Sequence, residues 1–377
     1  MPGLLAEVDP DGLLEYSVVY TDRALNHMSQ AFQATLRRLL QDLQGVYNAA
    51  SVVIVPGGGT FGMEAVARQF AVGRHCLVLR NGWFSYRWSQ ILEVGGFAAA
   101  VSVLPARRIS EAPRSPFAPA PLAEATATIR REKPQIVFAP HVETASGILL
   151  PDDYLRAIAE AVHAVGGLFV LDCVASGALW ADMRALGVDI LISAPQKGWS
   201  AEPCCAIVCL GEEAQRRLEE TSSNSFALDL KQWRRIMQAY ENGGHAYHAT
   251  MPTGGVVTLG ATVSEAKQYG LEKLRAAQID LGARVRALLA ERGFASVAAD
   301  GFAAPGVVVC YTDDAEIQSG KKFIAAGLQT AAGVPLQCNE PADYRSFRIG
   351  LFGFDKLYEP QRTIANLEQA LDAIAKH

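Results

Sequence analysis

Seven short apolar runs constrain this chain more than anything else in it. They fall at residues 51–55, 75–79, 98–104, 135–139, 167–171, 189–193 and 205–210. Each is too short for a buried helix and is rich in Val, Ile, Leu and Ala, so each reads as a strand buried on both faces. Stretches with helical periodicity separate several of them. In residues 154–165, for example, Leu155, Ile158, Ala159 and Val162 share one face. Apolar strands alternating with helices predict a mainly parallel seven-stranded sheet covered on both sides. The last run follows the sixth too closely for a helical crossover, so it is expected to be antiparallel. Residues 107–121, rich in Pro, Arg and Ser, read as an exposed connection.

The pattern changes in the last third. A long helical stretch from about residue 259 leads to strands at 294–299 and 306–311, a helix at 321–331, a strand at 346–351 and a final helix at 360–375. The expected organisation is an N-terminal arm (1–22), a large α/β domain (23–258) and a small C-terminal α+β domain (259–377). The chain of 377 residues is half hydrophobic and 19% charged, enough to bury a sizeable core. A net charge of −5 and a pI of about 5.9 argue against a nucleic-acid partner. No secretory signal or membrane-length apolar run is visible. Seven cysteines, most of them inside apolar runs, read as free thiols in a reducing cytoplasm. The spacing of Cys204, Cys205 and Cys209 matches no zinc motif, and no metal site is expected.

Ligands of open α/β sheets bind beyond the carboxyl ends of the strands. The first strand is followed by Gly57-Gly58-Gly59-Thr60 and a helix start, a combination suited to an anion. The fifth ends at Asp172, a carboxylate that is expensive to bury without a cation or donor. The sixth is followed by Ser193-Ala194-Pro195-Gln196-Lys197-Gly198-Trp199, where an amine flanked by small residues and a tryptophan can lose its hydration and become nucleophilic. One short helix and one strand separate Asp172 from Lys197, which predicts neighbouring strand ends. An amine, an acid and an anion cradle on one sheet edge are what pyridoxal phosphate requires.

The chain resembles the class V aminotransferases of the fold-type I pyridoxal-phosphate enzymes, particularly the alanine–glyoxylate and serine–glyoxylate group. The resemblance spans roughly residues 51–250 and a short piece around Arg348. Its most specific stretch is Leu171-Asp172-Cys173-Val174-Ala175-Ser176 with Ser193-Ala194-Pro195-Gln196-Lys197. It implies that Lys197 holds the cofactor as a Schiff base and that Asp172 partners the pyridine nitrogen. Gly58, Gly59, Thr60 and Gln196 fall on phosphate positions, and Thr144 lies near the phenolic oxygen. In Asn81-Gly82-Trp83-Phe84, Phe84 takes the place of the aromatic that stacks on the ring; the adjacent Trp83 could stack instead, and both are also ordinary core residues. Tyr247-His248-Ala249-Thr250 resembles a segment whose Tyr and Thr reach the phosphate in the neighbouring subunit, which implies a homodimer with shared active sites. Arg348, in Ser346-Phe347-Arg348-Ile349-Gly350, matches the arginine that clamps the substrate carboxylate. Strand alternation leaves open an outward-facing Arg348.

The expected reaction moves an amino group from a small amino acid, of the alanine or serine type, to a 2-oxo acid of the glyoxylate or pyruvate type. Two alternatives share the scaffold. One is a cysteine desulfurase or lyase using Cys338, which stands shortly before Arg348; the other is a non-catalytic binding protein. The sequence departs from the glyoxylate group near its start. Glu15-Tyr16-Ser17-Val18-Val19-Tyr20 stands where that group has a Gly-Pro-rich loop.

Overall fold

The computed structural model describes residues 8–375. Seven strands form one sheet: β1 (Ser51–Pro56), β2 (His75–Arg80), β3 (Ala100–Pro105), β4 (Ile136–Pro140), β5 (Leu168–Asp172), β6 (Ile190–Ser193) and β7 (Cys205–Leu210). Their order is β1-β7-β6-β5-β4-β2-β3. Pairing is parallel from β6 through to β3, whereas β7 runs antiparallel to both its neighbours. The loop over 194–204 is too short to carry a crossover helix, so the chain returns directly. Because β1 and β6 are both antiparallel to β7, the other six strands share one direction. Their carboxyl ends therefore open on one edge.

The seven apolar runs are these seven strands. Val52 to Val55, Phe169 to Leu171 and Ile190 to Ile192 are fully buried, because helices cover both faces. Edge strand β3 is the exception, with Ala100 and Val101 exposed.

A second, three-stranded antiparallel sheet holds β8 (Val307–Tyr311), β9 (Ala331–Ala332) and β10 (Ser346–Gly350) in the order β8-β10-β9. Here two expectations fail. Residues 294–299 make no strand. Ser296 bridges Cys310 while Ala298 bridges Phe117, so the segment divides its pairing between two partners and no ladder forms. The helix expected over 321–331 stops at Ala325. Gly327 adopts φ 88° and Leu328 N–H returns to Phe323 O, which closes the helix end. The freed chain then supplies β9. The long helical stretch is two helices, Thr253–Tyr269 and Leu271–Glu291, broken where Gly270 takes φ 111°. The boundary expected at residue 258 lies inside the first of them. The first seven residues of the expected arm and the last two of the chain lie outside the described residues. No helix among the described residues is long and apolar enough to cross a membrane.

A buried polar chain ties the helix Gln30–Tyr47 to the loop after β6. Trp199 Nε1 donates to Tyr47 Oη at 3.1 Å, and Tyr47 Oη donates to Ser193 Oγ at 3.0 Å. Trp199 is 1% exposed and its ring centroid lies 4.9 Å from that of Trp180, so it forms the floor of the loop. Tyr47→Phe leaves Trp199 Nε1 and Ser193 Oγ without these partners. We expect it to lower the unfolding free energy by about 1–3 kcal/mol, measured as a shift of the urea midpoint at unchanged slope.

Candidate active site

The carboxyl edge of the sheet brings an acid and an amine together. Asp172 ends β5 opposite Ile192 of β6, five residues before Lys197. Its backbone is fixed on both sides, accepting from His141 N–H while the next amide, Cys173 N–H, donates to Ile192 O. The carboxylate is 8% exposed. Oδ1 accepts from Val174 N–H at 3.0 Å, and Oδ2 has no donor among the described residues. Burial pushes its pKa up to about 6, helped by Glu143 and opposed by the Val174 bond, Arg87 and Lys197. A buried acid with one oxygen unpaired calls for a cation or an N–H donor.

Lys197 sits in a tight loop closed by Ala201 N–H to Pro195 O and Ser200 N–H to Lys197 O. Ser200 takes φ 56°, and its Oγ accepts from Phe354 N–H at 3.1 Å, which joins this loop to the chain that follows β10. Lys197 Nζ stands 5.4 Å from the Phe352 ring centroid. Burial is the main cause that lowers its pKa, with Arg348 and Arg87 adding to the effect and Asp172 opposing it. Those couplings put the amine within electrostatic reach of all three groups.

Arg348 comes from the second sheet. Phe347 and Ile349 are buried on one face of β10, so Arg348 turns to the other. That face meets the site: the guanidinium carbon lies 5.5 Å from the Phe84 ring centroid and Nε donates to Ala332 O at 2.8 Å. The outward alternative is thereby removed.

Phe84 is held by an acid that sequence reasoning passed over. Glu143 is fully buried and accepts from Phe84 N–H at 3.3 Å, Ser85 N–H at 2.8 Å, Ser85 Oγ at 2.7 Å and Ala145 N–H at 2.9 Å. A carboxylate at this helix start, Trp83–Gly95, satisfies first-turn amides and complements the helix dipole. Thr144, 8% exposed, follows directly.

The glycine turn after β1 runs into the helix Gly59–Phe70, with Gly58 as its N-cap. Gly57 takes φ 118°, a conformation that favours glycine. A Cβ on Gly59 would fall 2.7 Å from Val174 Cγ2, so the turn packs directly against the residue whose amide serves Asp172. The first amides of the helix lack intrahelical acceptors. Thr60 Oγ1 accepts from Arg87 Nη1 at 2.8 Å. Arg87 also passed unnoticed in the sequence, although it stands three residues after Phe84 and hence on the same helix face. Gln196 is exposed beside Lys197.

Tyr247 and Thr250 stand apart from this group. Tyr247 Oη and Thr250 Oγ1 pair at 3.2 Å, Tyr247 is 54% exposed, and its ring lies 5.6 Å from His27. Nearby runs the N-terminal segment, anchored by Tyr20 Oη to Met251 O at 2.9 Å. Leu13, Tyr16 and Val18 on that segment are almost fully exposed.

The donor set suits one group: a depressed amine, a buried acid with an oxygen to spare, and free helix amides at a glycine turn fit pyridoxal phosphate. The Aminotransferase class-V family model matches residues 13–343. Alanine–glyoxylate aminotransferase 1 of Saccharomyces cerevisiae is 27% identical over 66% of this chain and 66% of its own length. L-aspartate–glyoxylate aminotransferase of Paracoccus denitrificans is 28% identical over 70% of this chain and 64% of its own. The matches thus span about two thirds of those relatives. An aspartate aminotransferase structure from Thermus thermophilus superposes with a TM-score of 0.76 at 25% identity, covering 93% of this chain and 94% of that one. The chain belongs to the class-V aminotransferases, of fold type I, whose cofactor is pyridoxal phosphate.

Proposed function

We propose that this protein is a transaminase that takes an amino group from a small amino acid, of the alanine or serine type, and delivers it to a 2-oxo acid of the glyoxylate or pyruvate type. The observation that carries this is that Asp172, at the neighbouring strand end, and Arg348, which reaches over Phe84 from the second sheet, both stand within electrostatic reach of the half-buried Lys197. The glyoxylate acceptor is drawn from what the two relatives are named for. The division into an arm (1–22), a large domain (23–258) and a small domain (259–377) is part of the same proposal.

Bound here, pyridoxal phosphate supplies an aldehyde that takes up the amino group and a pyridine ring that draws electron density from the substrate Cα. Lys197 holds the cofactor until the substrate arrives, then works as a base. Its lowered pKa raises the fraction of neutral amine that can lift the Cα proton and return it at the cofactor C4′. Asp172, with its Oδ2 free of protein donors among the described residues, would hold the proton on the cofactor's pyridine nitrogen. Arg348 clamps the α-carboxylate with its planar fork. Phe84 would support the cofactor's ring and Thr144 its phenolic oxygen, and Gly58, Gly59, Thr60 and Gln196 would hold its phosphate.

Tyr247 and Thr250 serve the cofactor of a second copy. Their exposure away from Lys197, beside a segment with bare Leu13, Tyr16 and Val18, supports a homodimer with shared sites. Seven free, buried cysteines support a reducing, cytoplasmic setting.

The desulfurase alternative is disfavoured. Cys338 is 4% exposed, Sγ donates to Arg80 O at 3.3 Å, and burial pushes its pKa up to about 12. A thiolate nucleophile is scarce under those conditions. Cys338→Ala is expected to leave transamination at the wild-type rate, and sulfide release from cysteine that vanishes in this variant would reverse the assignment.

Lys197→Ala is expected to remove the visible absorbance of the lysine-bound cofactor. It should also slow amino transfer by about 10²–10⁴-fold or more. Absorbance and turnover that persist would sink the proposal, and so would a wild-type protein that binds cofactor yet reacts with no amino acid in a panel.

The Asp172 carboxyl gives a separate test. Its folded pKa of about 6 exceeds the ordinary value of 3.8, so the folded chain binds more protons than the unfolded one between these values. Stability is therefore lost as pH rises through that window. Without cofactor, Asp172→Asn should equal wild type at about pH 4 and exceed it by about 1–3 kcal/mol at about pH 7.5 in urea unfolding. With cofactor added, wild type should regain the advantage. A difference independent of pH would show that the carboxylate is not held up by burial.

A further inference from the structure

One cation beside the proposed phosphate cradle has no part in the reaction just described. Arg87 Nη1 donates to Thr60 Oγ1 at 2.8 Å, and its guanidinium carbon stands 5.3 Å from the Phe84 ring centroid. Arg348 stands 5.5 Å from the same centroid. Arg87 forms no ion pair among the described residues. Glu143, an acid on the neighbouring turn, already accepts from four donors.

The charge at the glycine turn does not balance without it. A phosphate monoester carries about −1.5 to −2 at neutral pH. The helix start that faces it offers the equivalent of roughly +0.5. Lys197 and Arg348 are committed elsewhere, to the aldehyde and to the substrate carboxylate. Arg87 is the cation in contact with the turn itself. We propose that Arg87 is the charged ligand of the cofactor's phosphate and that it orients Thr60 as a donor to the same group. This rests on the reading of the site given under Proposed function.

The hydroxyl chemistry makes the second half specific. A threonine has one O–H proton and an oxygen that accepts. With Arg87 occupying the oxygen, the proton is free to point at a phosphate oxygen. The planar guanidinium has further N–H groups for that same anion, in a geometry that an ammonium does not reproduce. The field of Arg87 also reaches Asp172 and Lys197, where it favours the charged acid and disfavours the charged amine.

Comparing pyridoxal 5′-phosphate with pyridoxal isolates the phosphate. The full-length protein is stripped of cofactor, and binding of each aldehyde is followed by visible absorbance and quenching of tryptophan fluorescence. Arg87→Gln is expected to weaken the phosphate form by about 10–100-fold, the scale of a charge-assisted hydrogen bond. Pyridoxal affinity should not change. Arg87→Lys should restore part of the loss. Equal loss for both aldehydes would make Arg87 a structural residue, and no loss for either would remove it from the phosphate site. If Arg87→Gln does not fold, Arg87→Lys alone decides the matter. It must lose affinity for the phosphate form only, and inorganic phosphate must compete less well against that form than it does in wild type. A wild-type protein that binds neither aldehyde at Lys197 defeats the reading of the site. A wild type that binds both, with Arg87→Gln keeping the full preference for the phosphate form, defeats this inference alone.

Discussion

A carboxylate buried at the end of an apolar strand is the constraint around which this site is organised. Asp172 has left water, and the chain returns to it a single donor, Val174 N–H. An ionised acid so placed is stable only beside positive charge or a strong donor. The parallel order of β4, β5 and β6 puts His141, Asp172 and Lys197 at successive strand ends, and both Lys197 and Arg87 draw the Asp172 pKa down against its burial. The sheet thus bears a destabilising element that a ring N–H would relieve. This is the pattern expected of a binding site and not of a core optimised for stability.

Keeping Asp172, Lys197 and Arg348 in mutual reach requires three anchors of different kinds. Under the lysine loop, Trp199, Tyr47 and Ser193 form a buried hydrogen-bonded chain that fixes the loop against the first long helix. On the opposite side, Glu143 gives three of its four accepted hydrogen bonds to the start of Trp83–Gly95, so Phe84 is set by a rigid cap. The second sheet is held by Gln278, fully buried, whose Nε2 reaches Pro305 O and Leu351 O at 3.2 Å each. Ser200 then joins the two sides through Phe354. None of Trp199, Tyr47, Ser193, Glu143, Gln278 and Ser200 carries chemistry in the proposed reaction; each limits how far a reacting group can wander, and proximity is a large part of catalysis.

The large sheet was legible because burial on both faces writes itself as continuous apolar runs, and all seven became strands. The second sheet was harder. Residues 294–299 have strand composition, but Ser296 and Ala298 bridge different partners, and nothing local reports a partner. Residues 321–331 have helical composition, but Gly327 closes the helix early and releases Ala331–Ala332 to pair with β10. Alternation placed Arg348 opposite Phe347 and Ile349, yet could not say whether solvent or a site lay there; only the packing of one sheet against the other decides that. Arg87 and Glu143 escaped because one reads as an exposed helical arginine and the other as part of a turn. Each gained its meaning from a contact across sequence, Arg87 with Thr60 and Glu143 with Ser85.

The charges brought together here do not cancel. Lys197, Arg87 and Arg348 face Asp172 and Glu143, and Glu143 is already consumed by neutral donors of the backbone and Ser85. Of these two acids, Asp172, with its pKa near 6, is left to answer three cations. Mutual repulsion among the cations is visible in Lys197, whose pKa both arginines depress. A site with such a surplus is incomplete until anions enter it. The proposed cofactor brings a phosphate to the glycine turn and the proposed substrate brings a carboxylate to Arg348, so the two demands fall on different cations. Binding of the first commits Lys197 to the aldehyde and leaves Arg348 still unbalanced. The same electrostatics that hold the cofactor therefore reserve the remaining positive charge for an α-carboxylate, which favours amino and 2-oxo acids over neutral amines as the exchanging pair.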